Sequence, residues 1–192
     1  MLFRSSSPAA ELVKDKGYEI LYLTDNVDEF ALQVLQEYDS KKFKNITQGD
    51  LNLESEEEKK QVEEKKEENK DLLEALKESL KDKVSDVKLS TRLKSHPVCL
   101  SADEGLSFEM EKVLAQMPDG NPYGMKAVRI LEINPNHAIF NALQNVYAKD
   151  KDKISKYADL LYDQALLIEG FDLEDPIAFS NAVCELMVEA SK

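Results

Sequence analysis

Tryptophan is absent from this chain of 192 residues, and glycine and proline number only six each. So few turn-formers disfavour a sandwich or barrel and lean the chain towards helix. There are two cysteines, Cys99 and Cys184, far apart and in apolar runs. With no CxxC and no Cys/His cluster they offer no zinc site. Reduced, buried thiols of a cytoplasmic protein are the expectation. No stretch approaches the ~20 apolar residues of a membrane span. The opening MLFRSSSPAA lacks an apolar core long enough for a secretion signal.

Catalytic patterns are missing too. No GxxxxGKS/T, GxGxxG, HExxH or GxSxG occurs, and the glycines are isolated, so no loop is built to wrap a phosphate. The two histidines, His96 and His137, have no Cys or Ser partner nearby in sequence and read as surface or capping residues. Acidic pairs such as Glu56-Glu57 and Asp103-Glu104 are explained by a charge-rich stretch and a helix first turn. The expectation is no catalytic site and no metal site. The 38 acidic side chains outnumber the 25 basic ones, for a net charge of -13. Such a chain repels nucleic-acid phosphates and anionic membranes, so neither is an expected partner.

What is present is organised in thirds. Residues 8–16 read as a helix closed by Gly17. Tyr18–Leu23 is an apolar run that reads as a buried strand. Thr24 or Asp25 caps a following helix, with Asp28 and Glu29 in its first turn where the helix dipole favours negative charge. Phe30, Val34, Leu35 and Tyr38 form its stripe, Asp39-Ser40 a turn, and Lys42–Thr47 a half-buried strand. This helix-strand-helix-strand unit is too short for a complete α/β domain, which points to a fragment.

From Glu54 to Lys70 the composition turns to Glu, Lys and Gln. A solvated helix or a disordered linker would both fit. Helix is preferred, because Leu72, Leu73, Leu76 and Leu80 continue the spacing without a breaker. One long helix, polar first and apolar later, would bridge two domains. Val87–Leu93 then alternates as a strand with one wet face. Val98–Leu100 is a second strand, and Ala127–Ile133, apolar on both faces, is a central third. Ser101 or Asp103 caps a helix to about Met117, carrying Leu106, Met110, Val113, Leu114 and Met117 as a stripe with Phe108 to its side. Core packing explains most of that stripe, although methionine also suits adaptable partner contact. Pro118–Pro122 is a turn cluster, and Asn134-Pro135-Asn136 leads into a helix through Tyr147.

The end of the chain carries the strongest pattern. Ile154, Ala158, Leu161, Ala165 and Ile168 are spaced 4-3-4-3, a heptad seam. Tyr157, Leu160 and Leu167 make a second stripe, so this helix needs partners on two sides. Asp175 caps and Pro176 opens a last helix carrying Ile177, Phe179, Val183, Leu186 and Met187. Apolar residues run almost to the last turn and must be covered. Packing on the chain's own strands is one solution; a second copy forming a two-fold bundle is the other, and the favoured one.

Several segments carry a resemblance to one family. Lys16-Gly-Tyr-Glu-Ile-Leu-Tyr-Leu-Thr-Asp25 with Asp28-Glu29-Phe30, Lys41–Asp50, Asp86–Leu93, Ser95–Val98, Leu131–His137, Leu160–Glu169 and Leu173–Pro176 resemble, in order, the end of bacterial ninety-kilodalton heat-shock chaperones of the HtpG type. The resemblance implies an α+β fold in three parts. Residues 1–53 would close the middle domain, 54–83 would form a charged connecting helix, and 84–192 would be the C-terminal dimerisation domain, a three-stranded sheet with helices ending in a bundle. It implies a homodimer through the seam residues Ile154, Ala158, Leu161, Ala165 and Ile168 and through Phe179, Val183, Leu186 and Met187. It implies contact with unfolded client proteins at Phe30, where the family commonly carries Trp, and at Leu106 and Met110. Phe keeps an aromatic anchor there but lacks the indole donor. The family is ATP-driven, but its ATP and Mg site and its catalytic arginine lie in regions before this one. No cofactor and no enzymatic activity are expected of this chain. Nor does Lys192 end an acidic pentapeptide of the kind that recruits co-chaperones in eukaryotic members.

Overall fold

The computed structural model describes residues 7–116, 121 and 124–192. Their architecture is α+β. A 3-10 turn, Pro8–Ala10, leads into the short helix α1, Glu11–Asp15. Gly17 ends it with a φ of 75°, in the left-handed region that suits glycine. Helix α2, Asn26–Leu35, starts at a capping box in which Asp25 and Asp28 each bind the other's backbone. A two-stranded hairpin, β1 (Glu37–Tyr38) and β2 (Lys41–Lys42), turns at Asp39 and Ser40, both with positive φ.

Two strand expectations in this third are corrected. Tyr18–Leu23 is not a strand, and Tyr18, Leu21 and Tyr22 are exposed. A strand exists only through pairing of its backbone, and no neighbouring strand among the described residues lies beside it. Lys42–Thr47 pairs only at its start; after the Phe43 amide, which donates to the Gln36 carbonyl at 3.2 Å, the chain leaves the hairpin. Gln48 instead makes a bridge with Ala102, with the Ala102 amide donating to the Thr47 carbonyl at 2.8 Å and the Gly49 amide to the Ala102 carbonyl at 2.9 Å.

The charged stretch is helical, but as two helices, not one. Helix α3, Glu56–Glu68, begins at a capping box between Ser55 and Glu58, with glutamates in its first turn and Lys65 and Lys66 in its last. Asn69 interrupts it with φ -117° and ψ 21°. Its side-chain amide donates to the Lys65 carbonyl at 2.8 Å and its Oδ1 accepts from Gln144 at 2.7 Å. Asparagine's ability to satisfy backbone groups locally is what breaks the helix, a signal that apolar spacing hides. Helix α4, Lys70–Ser79, then buries Leu72, Leu73 and Leu76, with Leu80 behind it, in the main core.

The main sheet has the order β3-β5-β4: β3 (Asp86–Leu89) runs parallel to β5 (Arg129–Ile133), and β4 (Val98–Ala102) antiparallel to it. β5 is central, as expected, although its second face carries Glu132. Val87, Leu89, Val98, Leu100, Leu131 and Ile133 join α4, α6 (Ala138–Lys149) and α7 (Ile154–Glu169) in one core. The opposite face is not wet. The 3-10 turn packs on β4 and the 46–50 segment lies over Lys88, Arg92 and Glu132. Leu93 lies beyond the strand yet is buried.

Helix α5, Phe108–Ala115, starts later than its sequence suggests, because Ser107 supplies the cap, accepting from the Met110 amide at 3.0 Å. Leu106 therefore precedes the helix, and Phe108 is core, fully buried. Met117 and most of the turn cluster, Pro118, Asp119, Gly120 and Pro122, fall outside the described residues. α7 ends at Gly170 in the left-handed conformation. α8, Pro176–Ala190, opens at Asp175, which accepts from the Ile177 and Ala178 amides.

Candidate functional site

Two exposed apolar surfaces stand out, one at each end of the chain. The first is built on α2. None of its residues is buried; Val34 is 86% exposed, and Val27 and Leu35 are exposed beside it. Phe30 is 40% exposed. Tyr18, Leu21, Tyr22 and Tyr38, before and after α2 in the chain, are exposed too. Exposed large apolar side chains in such number mark a contact site more often than a free surface. α2 rests on α5 through two polar ties. The Ser107 hydroxyl donates to Glu29 at 2.6 Å, and the Asn26 amide to Gln116 at 3.1 Å. The three sequence-predicted contact residues thus fall in one neighbourhood, at different depths. Phe30 is open, Leu106 half-buried and Met110 only 6% exposed. Of these residues Phe30, Val34, Leu35 and Tyr38 were legible in the sequence as a stripe, while Val27 was not.

The second surface is α8, a 15-residue helix with no buried residue. Ile177 is 73% exposed and Met187 67%, with Val188 beside them; Phe179, Val183 and Leu186 are half-buried. α8 does not close onto α7. A cleft of about 470 Å³ separates them, rimmed by Asp159, Asp163 and Glu174 against Lys83. Burial pushes the Asp163 carboxyl up from its ordinary value; Lys83 opposes this, while Asp159 and Glu174 add to it. Lys156 ties the helices with a 2.6 Å ion pair to Glu185.

The heptad seam is resolved in an unexpected way. Ile154, Ala158, Leu161 and Ala165 are all buried, in the core that α4 and β4 share with α7. Only Ile168 of the seam reaches solvent, next to Leu167 of the second stripe. Heptad spacing reports an apolar face; it does not say whether the partner is another chain or the same one.

Apart from these surfaces there is a polar junction that sequence patterning did not reveal. Glu132, on the central strand, accepts from Arg92 Nε at 3.1 Å and from the hydroxyls of Ser90 and Ser101, each at 2.7 Å. Arg92 donates onward to the carbonyls of Ile46 at 2.7 Å and Gly49 at 2.6 Å. Nearby, the Glu11 carboxylate accepts from the Lys94 amide at 2.7 Å, the Ser95 amide at 3.0 Å and the Ser95 hydroxyl, and lies 2.8 Å from His96 Nδ1. His137 caps α6, its ring nitrogen accepting from the Ile139 amide. Both histidines are thus engaged in structure. Among the described residues no helix is long and apolar enough to cross a membrane.

Comparison with known proteins decides the lineage. The family model described as "Hsp90 protein" matches residues 4–192. The chain belongs to the Hsp90 family. It is 51% identical over 181 residues to the Chaperone protein HtpG of Bacillus subtilis (strain 168), covering 94% of this chain and 29% of that protein. It is 56% identical over 182 residues to the Chaperone protein HtpG of Clostridium acetobutylicum, covering 94% and 28%. A Clostridium perfringens (strain ATCC 13124) relative of the same name is 53% identical over 181 residues, again covering 94% and 28%. The chain spans less than a third of the length of these HtpG relatives.

Proposed function

We propose that this chain is the dimerising and client-contacting part of an ATP-driven cytoplasmic chaperone. Its ATP and Mg site would lie in a portion of the parent outside these residues, and the chain itself would neither bind nor hydrolyse ATP. Residues 1–53 would close the middle domain, 54–83 would connect, and 84–192 would dimerise.

The observation that carries the dimer is α8. An apolar helix that buries none of its residues leaves Ile177, Met187 and Val188 in water. Fully burying side chains of this size gains roughly 1.5–3 kcal/mol each. A second copy supplies that cover in a closed two-fold arrangement. The interface would comprise Phe179, Val183, Leu186 and Met187 with Ile168, and would take in Ile177, Leu167 and Val188. Client contact would fall on the α2 surface around Phe30, with Leu106 at its edge and Met110 beneath.

A second reading, a purely structural dimer without client contact, is favoured by the burial of Met110. Two measurements separate them. Sedimentation velocity on the wild-type chain is expected to show a dimer, and Leu186→Glu a monomer, because a charge buried in that interface costs several kcal/mol. A monomeric wild type would refute the dimer. Hydrogen exchange with a destabilised client is expected to protect the segments around Phe30 and Leu106–Met110. Unchanged exchange there would leave the structural dimer as the better account.

A further inference from the structure

The direction in which α8 leaves the molecule is set by a few residues before it. Gly170 turns the chain with φ 77°, and the Phe171 amide donates to the Leu166 carbonyl at 3.0 Å. The Phe171 ring then enters a socket. It meets Phe108 edge-on, with centroids 5.6 Å apart and an interplanar angle of 87°. The Lys112 ammonium lies 4.5 Å from its centroid and the Arg129 guanidinium 4.7 Å. An edge-on ring and cations over a ring face are both favourable arrangements. Arg129 is held in turn by Glu111 at 2.6 Å, and Lys112 donates to the Glu169 carbonyl at 2.5 Å. Phe108, Glu111 and Lys112 all belong to α5, the helix that carries α2 at its two ends through Ser107 and Gln116. α5 therefore grips the base of α8 on one side and the exposed α2 surface on the other.

We propose that α5 couples the two surfaces: an unfolded polypeptide that settles on α2 and α5 fixes the Phe171 socket and so tightens the dimer through α8. This rests on the reading that α2 and α5 take clients and that α8 dimerises. The sign follows from ordering. α8 has no fully buried residue within its own chain and only half-buries Phe179, Val183 and Leu186, so aligning it for dimerisation costs conformational freedom. A ligand that has already immobilised α5 and its socket reduces that cost, which is positive cooperativity without a new contact. Linkage makes it reciprocal: the dimer must bind the polypeptide more tightly than the monomer does, by the same factor.

The test uses the 192-residue chain and reduced, carboxymethylated α-lactalbumin as the unfolded probe. The dimer dissociation constant is measured by sedimentation with and without saturating probe, and probe binding by fluorescence anisotropy. About fivefold tightening or more is expected for the wild type. Phe171→Leu keeps an apolar plug without the ring; it is expected to dimerise and bind probe but to lose the tightening, and Phe171→Tyr to restore it. Lys112→Gln, which leaves the core intact, is expected to reduce the tightening at least twofold. Tightening that is absent from the wild type, or that survives in Phe171→Leu and in Lys112→Gln, overturns the coupling while leaving the two surfaces standing. A wild type that fails to dimerise or to bind probe overturns both the coupling and the functional reading beneath it.

Discussion

Arg92 and Glu132 are the deepest opposite charges described, 3% and 1% exposed and 3.0 Å apart. In sequence Arg92 reads as the wet face of an alternating strand and Glu132 as part of a strand apolar on both faces, so neither pattern announces a buried ion pair. Segment 46–50 covers that face and takes two hydrogen bonds from Arg92, which turns a solvent position into a buried one. Removing one partner of a buried pair strands the other charge, at a cost of about 3–5 kcal/mol, whereas replacing both can be nearly neutral. Arg92→Leu is therefore expected to lower the urea unfolding free energy by about that amount. Arg92→Leu with Glu132→Leu should recover a large part of it. A double variant no more stable than the single one would mean that hydrogen bonding to the serines and to segment 46–50, and not the charge pair, holds this junction. Phe108 and Met110 teach a related lesson: Phe108, read as lying to the side of the stripe, is fully buried, and Met110 of the stripe nearly so.

Between elements, carboxylates do the tying. Burial pushes the Glu11 carboxyl up, but hydrogen bonds from the Ser95 hydroxyl, the Lys94 amide, His96 and the Ser95 amide outweigh it and hold the group at about 2, below the ordinary 4.5. A folded-state value below the unfolded one means the stabilisation is present at neutral pH and is lost as pH falls from about 4.5 towards about 2. That loss should loosen α1 from the 94–96 loop. Glu11→Gln is expected to be less stable than wild type at pH 7 and to lose less stability on acidification, read as the melting temperature along a pH series. Parallel acid profiles would show that Glu11 does not tie these elements. Residual acid sensitivity in the variant is expected from Glu58, which the Ser55 amide and Lys94 also hold at about 2. The existence of α3, α4, α6, α7 and α8 was legible from caps and periodicity. The break at Asn69 was not, because the side-chain hydrogen bond from Asn69 to the Lys65 carbonyl leaves no mark on apolar spacing.

For the molecule as a whole, the proposed dimer makes stability depend on concentration. Mass action favours the folded dimer as protein is added. The melting temperature is expected to rise by roughly 5 °C over a hundredfold increase in concentration, and not to rise for Leu186→Glu. A melting temperature independent of concentration in the wild type would place the cover for α8 elsewhere. The same scale explains the Tyr18–Leu23 correction. Its composition is that of a strand, but a strand requires an edge to pair with, and among the described residues none is adjacent.

The sequence by itself determined the helix-rich α+β class, the three-stranded sheet with its central strand, the caps that start α2 and α8 and the apolar character of both surfaces, because caps, periodicity and alternation are local properties of the chain. Only the tertiary structure decided which apolar faces meet. It turned the seam of α7 inward onto α4 and β4, left α8 and α2 in water, and buried Arg92 and Glu132 beneath a distant loop. Periodicity gives a face its chemistry; packing among elements far apart in sequence gives it a partner.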